Sequence, residues 1–214
     1  GGGKSLCYEI PAYIFKGTTL VISPLISLMK DQVDNLNSLG INAAYISGGN
    51  DFEEVKNIIR KFIKGEFRLL YVSPERLENR YFLDNIEKAN IAQIVVDEAH
   101  CVSMWGHDFR KSYSKIKPFI CNLKKRPIIT AFTATATEIV MKDSIELLGL
   151  HNPFIYKGSF SRDNLEINVL KEVDKLEIIS EIISEHEEES GIIYCSTKNE
   201  VGSFINIWFI EGKV

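Results

Sequence analysis

The chain alternates short apolar runs with segments in which apolar residues recur at helical spacing. Apolar runs rich in β-branched residues predict strands at 18–22, 67–72, 92–96, 127–132 and 191–195. These runs are mainly apolar and do not alternate with polar residues, which is typical of strands buried on both faces of a parallel sheet. The intervening helical segments therefore predict an α/β fold, with ligands bound outside the carboxyl ends of the strands.

Two of the intervening segments have a clear helical period and a defined end. In 51–64, apolar residues fall on one face, and Gly65 follows where a left-handed C-terminal residue is expected. That face consists of Phe52, Val55, Ile58, Ile59 and Phe62. The segment 138–148 has the same pattern of an apolar face followed by glycine, with Ile139, Ile145 and Leu148 preceding Gly149. Helices of this kind predict layers that cover both faces of the sheet.

A domain boundary is predicted at 151–166, where the helical pattern stops and Pro, Gly, Ser and Asn collect. Residues 1–150 would form one α/β domain that lacks its extreme N-terminus, and 151–166 its linker. Residues 167–214 would begin a second α/β unit. That unit has room for strands at 166–171 and 191–195 and a helix at about 174–187, which is too little for a complete domain.

The composition is that of a globular protein without a membrane segment. The 45% hydrophobic content of the 214 residues is ample for a packed core. The apolar runs are far shorter than the roughly 20 residues needed to span a bilayer, and residues 1–15 do not resemble a signal peptide. The four cysteines form no Cys-x-x-Cys pair, so a reducing compartment is expected: a bacterial cytoplasm or nucleoid, or a eukaryotic nucleus.

The formal net charge of -4 conceals two opposed segments. Between residues 106 and 126, seven Lys and Arg residues stand against one Asp, which predicts a cationic patch. Between residues 171 and 190, eight acidic residues stand against two lysines, which is typical of a solvated helix face. Only the basic segment therefore suggests a ligand, and a polyanion would suit it.

The chain opens with half of a phosphate-binding loop. Gly3-Lys4-Ser5, followed by an apolar helical pattern, matches the second half of the consensus G-x-x-x-x-G-K-[ST]. Backbone N–H groups of Gly1, Gly2 and Gly3 would bind phosphate oxygens at the helix N-terminus. Lys4 would neutralise the terminal phosphates and Ser5 would hold Mg²⁺. An incidental glycine-rich terminus is the alternative.

A pair of carboxylates follows the predicted strand at 92–96. Magnesium-triphosphate chemistry uses one carboxylate to hold the metal and another to orient and deprotonate the attacking water, which predicts these roles for Asp97 and Glu98. The alternative is a surface acidic pair that starts a helix. His100 is expected to relay nucleotide state, since a zinc site using it with Cys101 and His107 lacks a fourth ligand.

Aromatic and basic residues follow the acidic pair at short spacing. Trp105 and Phe109 offer stacking faces for nucleic-acid bases, each worth roughly 1–3 kcal/mol. His107 and Arg110 could reach phosphate or the nucleotide cleft. The alternative is that the aromatic rings fill the core, but Gly106 and its polar neighbours favour a loop.

Asp97-Glu98-Ala99-His100 is a DEAH box, and with the Trp-Gly-His-Asp-Phe-Arg sequence at 105–110 it resembles the aromatic-rich loop of RecQ-family DNA helicases. Further matching segments lie at 3–8, 23–33, 73–77, 132–136 and 191–195. The resemblance implies two RecA-like P-loop NTPase lobes, with ATP and Mg²⁺ in the cleft and single-stranded DNA across both. This chain would hold the first lobe and an incomplete second one.

The resemblance also implies residue roles. Lys4 and Ser5 match the phosphate- and metal-binding pair, and Thr133 and Thr135 match a motif that links hydrolysis to strand movement. The residues implied to contact DNA or couple it to hydrolysis are Ser23, Pro24, Ser73, Arg76, Trp105, His107, Phe109, Arg110, Thr133 and Thr135. Backbone N–H groups and short hydroxyls can hold phosphates without reading base identity, as a translocating enzyme requires.

The leading hypothesis is a fragment of an ATP-dependent 3′-to-5′ DNA helicase of the RecQ type. Its partners would be single-stranded and partly duplex DNA in recombination and repair. The resemblance places an adenine-reading glutamine motif before residue 1 and an arginine finger after residue 214, so the fragment alone is expected to hydrolyse ATP poorly or not at all. The alternatives are a nucleic-acid-binding module without turnover and an RNA helicase of the same superfamily, which the Trp105 loop disfavours.

Overall fold

A computed structural model describes residues 3–158, 164–171, 174–187 and 189–202. Gly1 and Gly2 of the predicted phosphate loop lie outside the described residues, as do 159–163 and the tail 203–214. The chain divides into two compact units, Gly1–Ile155 and Tyr156–Val214. The proposed nucleotide chemistry falls entirely within the first unit.

The first unit is built on five parallel strands in the order β2-β3-β1-β4-β5. The strands are β1 (Thr18–Ile22), β2 (Ala43–Ile46), β3 (Leu69–Val72), β4 (Ile91–Val96) and β5 (Ile128–Ala131). Four of them match predicted runs. The sequence pattern does not reveal β2, because it is four residues long and half of it is alanine, which has little preference for strands.

Helices cover both faces of the sheet, as the apolar strands predict. They are α1 (Leu6–Ile14), α2 (Ile26–Ser38), α3 (Phe52–Ile63), α4 (Arg80–Ile86), α5 (Ile116–Asn122) and α6 (Glu138–Leu147). Side chains of β1 alternate between two cores: Leu20 and Ile22 pack with residues of α3, α4 and α5, whereas Val21 packs with residues of α1 and α2. None of the described helices combines the length and apolar character that a bilayer crossing requires.

The predicted helix faces are correct in part for α3 and for α6, where Leu148 at the C-terminal end is fully buried. In α3, Val55, Ile59 and Phe62 are buried, but Phe52 at its first turn is exposed. In α6, Val140 and Ser144 face the core and Ile139 is exposed. The Ser144 hydroxyl can be buried there because the carbonyl oxygen of Val140 accepts its hydrogen bond at 2.7 Å. Ser144 can therefore occupy a core position, although the pattern of apolar residues predicts that a different face of the helix is buried.

In the second unit the helix α7 (Lys175–Glu185) lies close to the predicted range, and residues 198–202 are also helical. Asp174 caps it by accepting hydrogen bonds from the N–H groups of Leu176 and Glu177. The strands predicted at 166–171 and 191–195 are absent from the described part of this unit. A strand requires a hydrogen-bonded neighbour, and the described residues there supply none. Assignment of this unit to a second RecA-like lobe stays a prediction.

Candidate nucleotide site and aromatic loop

The residues singled out in the sequence lie at one edge of the sheet. Ser23 follows β1, Ser73 follows β3, Asp97 follows β4, and Phe132 with Thr133 follows β5. Because all five strands are parallel, their carboxyl ends meet at this edge. The crevice beside such an edge is where open α/β sheets bind ligands.

Lys4 reaches the acidic pair from the start of α1. Gly3 has φ +67°, a left-handed conformation suited to glycine, and the chain then enters α1 at Ser5. The Lys4 Nζ atom lies 3.6 Å from Oε1 of Glu98, with both side chains partly exposed. The structure therefore brings together two groups that are far apart in sequence. Ser5 makes no side-chain capping hydrogen bond to α1.

Asp97 is held by the ends of two strands. Its N–H donates to the carbonyl oxygen of Ile22, and its Oδ2 atom accepts a hydrogen bond of 3.3 Å from the Ser23 hydroxyl. Burial raises the pKa of Asp97, and the neighbouring charge of Glu98 raises this pKa further, while Lys4 and Ser23 lower it. A cation bound beside such a desolvated carboxylate would stabilise its charged form.

Glu98 has an unusual backbone and a carboxylate oxygen without a donor. Its φ of 45° and ψ of 48° place it in the left-handed region, which costs energy for a residue with a side chain. Oε2 of Glu98 is buried, and among the described residues no group donates a hydrogen bond to it. Nδ1 of His100 lies 3.3 Å from Oε2 but is closer, at 2.9 Å, to the hydroxyl oxygen of Thr133. Oε2 is therefore available to accept a hydrogen bond from a water molecule.

His100 connects the acidic pair to two other segments. Its Nδ1 atom lies 2.9 Å from the Thr133 hydroxyl oxygen, which also contacts the backbone of Thr135. Its ring stacks on that of His107 at a centroid distance of 4.4 Å. Burial lowers the pKa of His100, and His107 lowers this pKa as well, against the opposing effect of Glu98. His100 is thus a neutral hydrogen-bonding group at pH 7.

The segment 103–110 forms an exposed loop. Trp105 is 76% exposed and Phe109 is 46% exposed, which contradicts the alternative in which the rings fill the core. Gly106 packs so closely on the carbonyl oxygen of His100 that a side chain there would clash with it. The base of the loop is closed by the Arg110 N–H, which donates to the carbonyl oxygen of Cys101 at 2.9 Å.

The Arg110 side chain ties this aromatic loop to the turn after β1. Its guanidinium donates to Oδ2 of Asp108 and, at 3.2 Å, to the carbonyl oxygen of Pro24. The same guanidinium lowers the pKa of the Asp108 carboxyl. Arg110 therefore bridges two segments of the protein, and the role in phosphate binding implied by the resemblance stays a prediction.

The other predicted DNA-contacting residues are largely enclosed. Ser23, Pro24 and Ser73 are buried, and the Ser23 hydroxyl is engaged by Asp97. Arg76 donates a hydrogen bond to the carbonyl oxygen of Ser47, which follows β2. Ser23 and Arg76 therefore already have hydrogen-bond partners within the protein, and the DNA contacts predicted for them and for Ser73 stay predictions.

Two polar contacts of the site are not predictable from the sequence pattern. The buried Tyr113 hydroxyl donates to the carbonyl oxygen of Asp97 at 2.8 Å. The Ser103 hydroxyl donates to Asp143 at 2.6 Å and fixes the start of the aromatic loop to α6. Both residues lie in segments whose pattern indicates only core or loop. The proximity of Tyr113 to the DEAH box along the chain is the one available hint.

The donor set suits Mg²⁺ better than zinc. Burial raises the pKa of the Cys101 thiol to about 11, so it stays protonated at neutral pH and is a poor zinc ligand. Among the described residues, no three His, Cys, Asp or Glu side chains are grouped to hold a metal ion. Mg²⁺ in nucleotide sites needs no such cage, because one or two protein oxygens, phosphates and waters complete its shell. Asp97 offers such an oxygen at the strand ends, and the metal-binding roles of Asp97 and Ser5 stay predictions.

Replacing Asp97 by Asn should raise the melting temperature of the nucleotide-free, metal-free chain at pH 7 by about 2–4 °C. The raised pKa of Asp97 means that the folded state binds more protons than the unfolded one between the two pKa values, so stability falls as pH rises through that window. Asn removes this cost, and the gain should disappear at pH values near and below the unfolded pKa. Calorimetry across pH with exposed Asp34→Asn as control checks this; no gain at pH 7 contradicts it.

The match to known families covers most of the first unit. The family described as DEAD/DEAH box helicase matches residues 1–143. The chain belongs to the DEAD/DEAH box helicase family. A domain of this family is an ATPase domain, so ATP is the nucleotide expected at the site formed by Lys4 and Glu98.

Relatives in this family confirm the resemblance to RecQ helicases. The ATP-dependent DNA helicase RecQ of Bacillus subtilis is 44% identical over 200 residues, which are 94% of this chain and 34% of that protein. The RecQ-like DNA helicase BLM of Xenopus laevis is 40% identical over 227 residues, covering 99% of this chain and 16% of that protein. The chain thus spans about a third of the bacterial relative and less of the other.

Solved structures confirm the predicted fold class. The Pyrococcus furiosus Hef helicase domain has a TM-score of 0.54 and 19% identity, over 69% of this chain and 31% of that one. The helicase MrfA bound to DNA and AMPPNP has a TM-score of 0.54 and 21% identity, over 69% of this chain and 22% of that one. The parallel sheet with helices on both faces is therefore a RecA-like helicase fold.

Proposed function

We propose that this chain is the ATP-binding lobe, with the start of a second lobe, of an ATP-dependent 3′-to-5′ DNA helicase of the RecQ type. The observation that carries the proposal is the 3.6 Å approach of Lys4 to Glu98, beside an exposed aromatic loop. The acidic group of the nucleotide site, Glu98, and the loop suited to bases then lie within one short segment, residues 97–110. The protein would act in recombination and repair, in the compartment that holds the DNA.

The nucleotide chemistry follows from the charges at the site. Lys4 neutralises Glu98 in the free protein and would exchange this partner for the terminal phosphates of ATP. Glu98 would then be free to orient a water molecule and to accept its proton, using the buried Oε2 that lacks a donor. Ser5 and Asp97 would hold Mg²⁺, which neutralises charge on the phosphates.

The aromatic loop supplies a surface for single-stranded DNA. The Trp105 ring is exposed. Phe109 is partly exposed and lines an apolar groove together with Val102 and Leu147. Two exposed cationic residues near the loop suit phosphates: Lys111 follows it directly, and Lys117 lines the same groove as Phe109. The stacked rings of His100 and His107 join this surface to the nucleotide site.

Replacing Trp105 by Ala should weaken single-stranded DNA binding by about 5- to 150-fold, since one base-stacking platform is worth 1–3 kcal/mol. Fluorescence anisotropy with a labelled oligonucleotide at fixed salt measures this. Phe154→Ala is a matched control, because Phe154 is 92% exposed and lies outside the loop. Equal affinities of Trp105→Ala and wild type would remove the loop from the DNA site.

The complete protein is the material for turnover assays, because this chain spans only about a third of its bacterial relative. ATP hydrolysis stimulated by single-stranded DNA supports the proposal. DNA binding without any hydrolysis would instead favour a binding module. Stronger stimulation by RNA than by DNA would favour an RNA helicase, and the exposed Trp105 ring alone does not separate these two polymers.

A further inference from the structure

The hydroxyl of Tyr113 contacts the peptide that carries the acidic pair. Tyr113 lies in a short 3₁₀ turn, Lys111–Lys115, and its side chain is fully buried. The hydroxyl donates to the carbonyl oxygen of Asp97 at 2.8 Å. Burial raises the pKa of Tyr113, so the hydroxyl remains a protonated donor at neutral pH. It reaches neither the side chain of Asp97 nor that of Glu98 among the hydrogen bonds that the structure describes.

This contact fixes one end of the Asp97–Glu98 peptide plane, and a second contact fixes the other. The carbonyl oxygen of Asp97 accepts from Tyr113, and the N–H of Glu98 donates to Oδ1 of Asp97 at 3.0 Å. Rotation of this plane would change φ of Glu98, which stands at the strained value of 45°. Strained conformations persist only where surrounding contacts hold them. The Tyr113 hydroxyl is therefore one of the groups that hold the backbone from which the Glu98 side chain projects.

Tyr113 is also tied to the base of the aromatic loop. Its N–H donates to the carbonyl oxygen of Arg110 at 3.0 Å, and the Arg110 N–H donates to Cys101 at 2.9 Å. The loop thus closes at Arg110, and the chain runs directly into the turn that places Tyr113. If a bound base moved the loop, the movement would be transmitted to the Asp97 carbonyl through two hydrogen bonds, from the Tyr113 N–H to Arg110 and from the Tyr113 hydroxyl to Asp97. This route does not involve the contacts of His100.

We propose that Tyr113 is a positioning residue that couples the aromatic loop to the orientation of the Glu98 carboxylate. Occupancy of the loop by single-stranded DNA would act through the Tyr113 hydroxyl on the group that activates water. This inference rests on the proposed function and deepens it, because it names a second connection between the two sites. Tyr113 would act through the Asp97 carbonyl and not by contact with ATP or DNA, because its side chain is fully buried.

The test is Tyr113→Phe in the complete protein, because Phe keeps the ring and removes only the hydroxyl. DNA-stimulated kcat should fall about tenfold, as expected when one positioning hydrogen bond is lost. KM for ATP and Kd for single-stranded DNA should stay within twofold of wild type. Tyr81→Phe is the matched control: Tyr81 packs against the same core from α4, and its loss of a hydroxyl should leave kcat unchanged.

Introducing 4-aminophenylalanine at position 113 restores an N–H donor and should recover most of the lost kcat. Wild-type kcat in Tyr113→Phe, or loss of kcat that the amino variant fails to recover, would overturn the proposal. If Tyr113→Phe does not fold, the amino variant decides alone: DNA stimulation near wild type supports the coupling, and a tenfold loss overturns it. Absence of DNA-stimulated hydrolysis in the wild type would instead reject the proposed function.

Discussion

Replacing Glu98 by Gln is expected to lower DNA-stimulated ATP hydrolysis by about 10²- to 10⁴-fold, the range that a general base contributes. The amide has the size of the carboxylate but cannot accept a proton from the attacking water. The geometry supports this expectation, because Oε2 of Glu98 is buried and no described residue donates a hydrogen bond to it. Lys4 would lose its ionic partner, so ATP affinity should be kept or increased.

Steady-state hydrolysis by the complete protein, together with binding of a fluorescent ATP analogue, separates these effects. Glu87→Gln is a suitable control, because Glu87 is exposed at the end of α4. Turnover by Glu98→Gln equal to that of the wild type would remove Glu98 as the water-activating group. Loss of nucleotide binding together with turnover would indicate a structural role instead.

Replacing Lys4 by Ala is expected to lower kcat by about 10²- to 10³-fold, the cost of removing one group that stabilises transition-state charge. ATP binding should weaken as well, since the lysine neutralises phosphates in the ground state. Lys4 has no other ionic contact among the described residues than Glu98, so it can exchange this partner for phosphate.

Lys16→Ala, at an exposed position after α1, controls for the general loss of a positive charge. The measurement is kcat and KM for ATP at saturating DNA, with thermal unfolding as a check on folding. A Lys4→Ala protein whose kcat and KM both match the wild type would show that the N-terminal Gly-Lys-Ser is an incidental sequence. A change in KM alone would limit Lys4 to substrate binding.

The sheet and its placement of ligand-binding groups are largely predictable from local sequence. Each of β1, β3, β4 and β5 is a short, mainly apolar run, interrupted only by Thr18, Thr19, Gln93 and Thr130. The strands β1, β3 and β4 are largely buried, as is typical of parallel strands inside a sheet. Once the sheet is parallel, Asp97 and Glu98 at the end of β4 must face the ligand-binding edge. The segment β2 escapes such a prediction, because alanine-rich tetrapeptides occur in strands, helices and loops alike.

The contacts within the site depend on information that no local pattern contains. Lys4 and Glu98 are predicted to share a nucleotide only because each belongs to a known type of motif, and their 3.6 Å approach is a property of the fold. The left-handed backbone of Glu98 has no sequence signal, since glutamate rarely adopts it. Its supports come from separate strands and turns, so they emerge only with the tertiary structure.

Buried hydroxyl groups are the second class of feature that sequence reasoning misses. Ser23 is predicted to contact DNA, yet its hydroxyl is buried and donates to Asp97. Tyr113 has the pattern of a core residue, yet its hydroxyl donates to the Asp97 carbonyl oxygen. An apolar pattern reports where a side chain is buried but not where its polar atom is directed, because a single hydroxyl barely alters the periodicity.

The most direct measurement is a crystal structure of the complete protein with Mg²⁺ and a non-hydrolysable ATP analogue. Lys4 Nζ should leave Glu98 and lie within about 3 Å of a terminal phosphate oxygen, with the metal between that phosphate and the side of the crevice formed by Ser5 and Asp97. Oε2 of Glu98 should face an ordered water in line with the terminal phosphate. A nucleotide bound elsewhere, or one bound while Lys4 remains paired with Glu98 away from the phosphates, would contradict the nucleotide site.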